Sequence, residues 1–432
     1  MHASRILQCA APVIYLLIAC TAWAIDEIDQ PPIQYGTSKP DNRVSRLQKR
    51  LDSGELRLAF DKDKGYLSDL LRALDVPIQS QMLVFSKTSM QRQRISPRKP
   101  RAIYFSDDVY VGFCQQGEVL EIAAADPQLG AVFYTLDQKQ AESPRLLRQT
   151  DNCLICHSSS RTEGLPGYVV RSLYVGRSGQ PILSAGGYAV DQTTPLEQRW
   201  GGWYVTGQHG SQTHMGNLVI PGAGDPRKVD NSQGQNVTDL GDHFDVDQYL
   251  SPHSDIVALM VLEHQTLVHN RLAKANFETR RALYYEKGMN EAFGETEDNR
   301  LESTTRRIQA AGDALVEAIL MVDEAKLSAP IIGTSEYAEK FSQAGPRDAR
   351  GRSLRELDLQ RRLFKYPCSY LIYSEVFDGL PQEMHDYVWQ RLWNVLSKGE
   401  DAAKFAHLSS EDRQAIVEIL RETKPELPEY WK

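Results

Sequence analysis

Met82-Leu83-Val84-Phe85, Ala102-Ile103-Tyr104-Phe105, Val109-Tyr110-Val111, Val119-Leu120-Glu121-Ile122 and Ala131-Val132-Phe133-Tyr134 follow one another within 53 residues. Each run is short and rich in β-branched and aromatic side chains. Asp107-Asp108, Gln115-Gln116-Gly117, Asp126-Pro127 and Leu129-Gly130 separate them. Runs of this length divided by turn residues predict consecutive antiparallel strands, because the short connections among the last four runs can only reverse the chain.

Downstream, Tyr168-Val169-Val170-Arg171-Ser172-Leu173-Tyr174-Val175, the Gly176-Arg177-Ser178-Gly179 turn and Pro181-Ile182-Leu183 predict a hairpin. Further strands are expected over residues 199–207 and 217–220. Residues 222–247 are rich in Gly, Asp and Asn; their six aspartates match no twelve-residue calcium loop, and a solvated loop is expected.

From Ser254 or Asp255, either able to cap, apolar positions recur at helical spacing through Phe277 or beyond. Further helices are predicted over residues 303–325, 369–377, 382–396 and 411–420, with Gly399 stopping the one over 382–396. The fold class is therefore α+β: a β-rich region over 81–250 and a mainly helical region over 251–432. Residues 25–80 form a lead-in with short helices, one near 44–51. Within it residues 25–45, carrying Pro31-Pro32, Gly36 and Pro40, are expected to be exposed.

Residues 1–24 have the pattern of an export signal peptide: Arg5, an apolar stretch over 11–19 and a small-x-small site at Ala22-Trp23-Ala24. Leu17-Ile18-Ala19-Cys20 also resembles a bacterial lipobox, in which Cys20 would become the lipidated first residue. Either reading places the mature chain outside the cytoplasm, in the periplasm or otherwise exported; the second adds a lipid anchor. Losing Arg5 with the signal takes the net charge from −8 to −9. That balance argues against nucleic acid and anionic lipid surfaces and permits a basic docking partner.

The chemistry of the chain centres on Cys153-Leu154-Ile155-Cys156-His157. Two thiols three residues apart stand on one side of a single helical turn, with an imidazole adjoining. A thioredoxin-like pair or half of a zinc site would share the CxxC. However, no second CxxC or HxxxH supplies the other zinc ligands, and Ser158-Ser159-Ser160-Arg161 reads as turn rather than helix. At these residues the sequence resembles the c-type cytochromes, and more broadly a group of large exported proteins carrying one such motif. The resemblance implies one covalent haem c: thioethers from Cys153 and Cys156, and His157 as an axial ligand of a metal-binding iron site.

The same resemblance suggests that a carbonyl of the Gly164-Leu165-Pro166-Gly167 turn satisfies the other nitrogen of His157. Distal ligand candidates lie in His209-Gly210-Ser211-Gln212-Thr213-His214-Met215, with Met215 and His214 foremost. Arg171, Arg199 and Trp200 are candidates for the haem propionates. On the downstream helix, His264 and His269 are about 140° apart and cannot share one metal; His264 continues an apolar stripe and reads as a core residue. Cys114 and Cys368 remain open between a disulfide and two buried thiols.

The leading expectation is a mono-haem electron-transfer protein passing single electrons between exported redox partner proteins. Whether it also acts as a catalytic oxidoreductase stays open. A haem enzyme with an open distal site, peroxidase- or oxidase-like, is one alternative; a haem-bearing sensor or scaffold is another.

Overall fold

Antiparallel pairing joins β1 (Met82–Val84), β2 (Arg101–Phe105), β3 (Val109–Phe113), β4 (Val119–Asp126), β5 (Gly130–Asp137) and β6 (Leu146–Gln149) in sequence. β7 (Arg171–Leu173) and β8 (Gly187–Ala189) form a separate two-stranded ribbon, and β9 (Trp203–Tyr204) returns to pair with β1. The main sheet is thus seven-stranded, in the order β6-β5-β4-β3-β2-β1-β9. The computed structural model describes residues 27–222 and 224–432; the expected export signal, with Cys9 and Cys20, lies outside them.

The helices are α1 (Arg43–Asp52), α2 (Leu67–Ala73), α3 (Leu154–His157), α4 (Ile256–Phe293), α5 (Glu302–Ile319), α6 (Tyr337–Gln343), α7 (Glu375–Asp378), α8 (Gln382–Lys398) and α9 (Ser410–Thr423). Sheet and helices share a continuous core, and the chain is α+β as its periodicities predict.

Directly paired residues share a sheet face. Tyr104, Val111, Ile122 and Tyr134 form one fully buried row. On the other face Ile103, Gly112, Glu121 and Thr135 are aligned, next to a row holding Tyr110, Ala123 and Phe133. α4 covers one end of this second face, where Tyr110 Oη meets His269 Nδ1 at 3.0 Å. Toward the other end Arg101, Ile103, Glu121 and Ala123 stay half-buried.

α4 starts where Asp255 accepts from Val257 N at 2.8 Å and ends at left-handed Gly294. Its first two turns are apolar all round and buried on every side, so it threads the core rather than lying on it. His264 is fully buried and satisfied, by Gln192 at 2.5 Å and Ser369 at 2.7 Å. Burial pushes His264 and His269 down to about 3. Both stay neutral in the native state while the unfolded chain protonates below the usual 6.5. The stability this confers is present above pH 6.5 and lost as pH falls toward 3, by on the order of 4 kcal/mol for each ring. Urea midpoints should therefore fall steeply between pH 6.5 and 5, and His264→Gln should flatten that slope.

Several expectations need correction. Of the expected exposed lead-in over 25–45, the described residues 27–45 are packed into the core: Ile28, Ile33, Tyr35 and Val44 are fully buried, and Tyr35 Oη donates to the Ala131 carbonyl at 2.9 Å. An irregular segment can be buried without the periodicity that would reveal it. Residues 217–220 form no strand, because left-handed Asn217 satisfies the backbone of Val205 with its own amide, at 2.8 and 2.9 Å. The expected strand over 199–207 shortens to β9 because Trp200 and Gly202 both have positive φ.

Val175 and Pro181 pair across the predicted hairpin turn, but residues 183–185 break into a 3-10 turn before the chain resumes as β8. α5 stops before residue 325, where Met321 and Asp323 turn left-handed. Residues 369–377 divide into a 3-10 turn and α7 because the Ser374 side chain caps Phe377 N. β6 forms although its residues carry no strong strand pattern. Cys114 and Cys368 are buried and unpaired. Among the described residues no helix is long and apolar enough to cross a membrane.

Candidate functional site

The CxxCH stretch is a single helical turn. Asp151 O accepts from Leu154 N at 3.0 Å, and Cys153 O accepts from Cys156 N at 3.3 Å and from His157 N at 3.0 Å. Leu154 is 1% exposed and anchors the turn in the core, whereas Ile155 is 60% exposed. Cys156 is exposed and Cys153 half-buried, so α3 presents its thiols at the molecular surface.

The chain after α3 folds back to hold His157. Gly167 N donates to His157 O at 2.8 Å, Ser158 Oγ donates to Gly164 O at 2.8 Å, and His157 Nδ1 meets Gly167 O at 2.9 Å. Since a carbonyl only accepts, Nδ1 carries the proton and Nε2 keeps its lone pair. Burial lowers the affinity of His157 for a second proton, which favours the neutral ring.

Gly167 is required by packing: an added Cβ would meet Asn270 Oδ1 at 2.5 Å. Asn270, on α4, accepts from Tyr168 N and donates to Tyr168 O, both at 2.8 Å. The turn that orients His157 is thereby clamped to the longest helix. The expected support from the 164–167 turn is present, through the Gly167 carbonyl.

Beneath α3 lies the half-buried sheet face. The Phe133 ring is 4.7 Å from the His157 ring. Arg101 and Glu121 pair at 2.7 Å, each 17% exposed, and Ser89 Oγ donates to Glu121 at 2.6 Å. Arg101 Nε is buried without a partner. Burial, reinforced by the Glu121 charge, raises the Cys153 thiol to about 11. Cys153 Sγ stands 3.9 Å from Met90 Sδ, and Met90 is 50% exposed. Gly112 leaves the middle of the face without a side chain; a Cβ there would make only ordinary contacts, the nearest at 3.5 Å.

The other sequence candidates divide. Arg171 stays near the motif, where burial and then the charge of Arg161 lower its pKa and the Cys156 thiol acts on it. Arg199 is 4% exposed and paired with Glu263 at 2.7 Å, and Trp200 is 1% exposed; both belong to the core instead of a propionate site. Met215 and His214 sit in a separate cluster. Met215 Sδ accepts from Ser172 Oγ at 3.5 Å, and the His214 ring lies 4.7 Å from His209 and 5.3 Å from Trp200.

Sequence reasoning missed Met90, Arg101 and Glu121. Their only signal was alternation within β2 and β4 and a lone methionine in a polar connection. Among the described residues no group of three or more His, Cys, Asp or Glu side chains could hold a metal ion by itself. Compared with protein-family models, curated proteins and solved structures, the chain matches none.

Proposed function

We propose that this chain is an exported mono-haem c-type cytochrome that passes single electrons between redox partners. Cys153 and Cys156 would carry the thioethers, His157 Nε2 would ligate the iron, and Arg101 Nε would be free for a propionate. The observation that carries the reading is the His157–Gly167 hydrogen bond at 2.9 Å. It fixes the tautomer an axial histidine needs, one residue beyond the second of two surface thiols. The half-buried face around Gly112, with an unpartnered guanidinium nitrogen at its rim, supports a flat anionic cofactor.

When bound, haem supplies a one-electron couple whose potential follows axial ligation, burial and nearby charge. The chain's own part is to orient His157 through Gly167, to keep the ring neutral by burial, and to limit water with Phe133 and Ile103. Protein produced in a host with a c-type maturation apparatus should keep its pigment through acidified acetone. Colourless protein, or pigment extracted into the solvent, would refute the proposal.

Met90 is the methionine whose sulfur touches the motif, which makes it a distal-ligand candidate beside Met215 and His214. Met90→Ala should convert a six-coordinate ferrous spectrum into one that binds carbon monoxide rapidly and should lower the potential, while the covalent pigment is retained. An unchanged spectrum would return the assignment to Met215 or His214.

A further inference from the structure

Residues 87–101, the connection from β1 together with the first residue of β2, carry six basic residues and no acidic one in a chain of net charge −8. Two of the six are neutralised, Arg101 by Glu121 and Arg94 by Glu118 at 3.6 Å. Lys87, Arg92, Arg98 and Lys99 have no carboxylate partner among the described residues, and the last three are exposed. The segment is held against the body of the protein: Tyr204 Oη donates to Pro97 O and Tyr249 Oη to Pro100 O, both at 2.7 Å. The 176–179 turn packs on it as well. A Cβ on Gly179 would lie 3.2 Å from Ser96 Cα, and Arg177 of the same turn is exposed and unpaired.

This lip borders the candidate site. Met90, inside the segment, touches Cys153, and beyond Cys156 stand Arg161 and Arg171. Two large apolar side chains are exposed at the motif, Met90 at 50% beside Cys153 and Ile155 at 60% within α3. The carboxylates near these cations are Glu121, 17% exposed and paired with Arg101, Glu118, which faces Arg94, Glu163, which pairs with Arg271 and Lys274, and exposed Asp151. An apolar centre within a charged rim is the anatomy of a transient protein interface.

We propose that the basic lip over residues 87–101 is the docking surface for an acidic electron-carrier protein. The overall negative charge would favour a basic partner, but at the thioether edge the local charge is reversed. Within a Debye length of about 8 Å at physiological salt, the local sign governs encounter. The proposal rests on the haem reading for its purpose but not for its test.

The probe is an acidic blue-copper protein, whose colour reports its own redox state. Its binding to the full chain should be measured at low and high salt for wild type, for Arg92→Glu/Arg98→Glu/Lys99→Glu, and for Lys62→Glu/Lys326→Glu/Lys398→Glu. The last three cations are exposed and unpaired and lie outside this segment, so both triple variants change net charge equally. Wild type and the second variant should bind at low salt. The lip variant should lose about tenfold in affinity and in electron-transfer rate, and the difference should vanish at high salt. Salt-sensitive, lip-dependent binding by a colourless protein would uphold the surface and refute the haem. Equal weakening in both triples, or in neither, would overturn the surface whatever the pigment.

Discussion

Cys153→Ser combined with Cys156→Ser is expected to give folded, colourless protein from the same host that pigments the wild type. The thioethers are the proposed covalent link, so losing both sulfurs removes all acid-stable pigment, whereas either single variant keeps one bond and a reduced yield. The fold should survive because α3 is anchored by buried Leu154 and by the Gly167 turn, not by the thiols. Stability by circular dichroism should change by about 1 kcal/mol or less relative to unpigmented wild type. Acid-stable pigment in the double variant would mean that another residue carries the cofactor.

Arg199→Met is expected to cost about 3–5 kcal/mol of stability, well beyond the effect of the cysteine changes. Arg199 donates to Glu263 at 2.7 Å, to Thr194 O at 2.7 Å and to Gln192 O at 3.0 Å. It ties the chain leading into β9 to the buried start of α4. Glu263 is fully buried, and burial raises its carboxyl to about 7 against the opposing pull of Arg199. Removing the guanidinium leaves that carboxylate without a cation. Adding Glu263→Leu should recover most of the loss, since replacing both partners removes the desolvation cost together with the attraction.

The pH sign follows from the raised carboxyl. Glu263 contributes stability that is present below the ordinary carboxylate range and is lost as pH rises through about 7. Without Arg199 the carboxyl rises further, so the single variant should be relatively less impaired at pH 5.5 than at pH 8. Urea titrations at the two pH values test this; an equal loss at both would show that Glu263 is not the group left exposed to the cost.

Where chemistry is local, the sequence was legible. The five runs from Met82 to Tyr134 carried their own strand propensities and turns, and they pair as consecutive antiparallel strands. Asp255 caps α4 and Gly399 ends α8 because capping depends on residues within one turn. The motif and its supporting Gly167 turn span fifteen residues, short enough for spacing to specify them.

Features that depend on distant partners were not legible. Residues 217–220 look like a strand until the Asn217 side chain takes the backbone bonds of Val205. Arg199 and Trp200 read as propionate candidates until a glutamate 64 residues away is seen to bury the first of them with itself. The alternation of β2 and β4 showed that each has two faces, but not that one of these faces would lie half-open beneath α3.

By itself, then, the sequence determined the consecutive strands from Met82 to Tyr134, the caps of the long helices, the α+β class and the position of two thiols and an imidazole, because dihedral preference, periodicity and spacing act over a few residues. Only the tertiary structure decided that Met90 meets Cys153 across 63 positions, that Arg101 and Glu121 lie beneath His157, and that the basic 87–101 segment borders the motif. The register of a sheet and the path of a buried helix set those neighbours, and both depend on packing the whole core together.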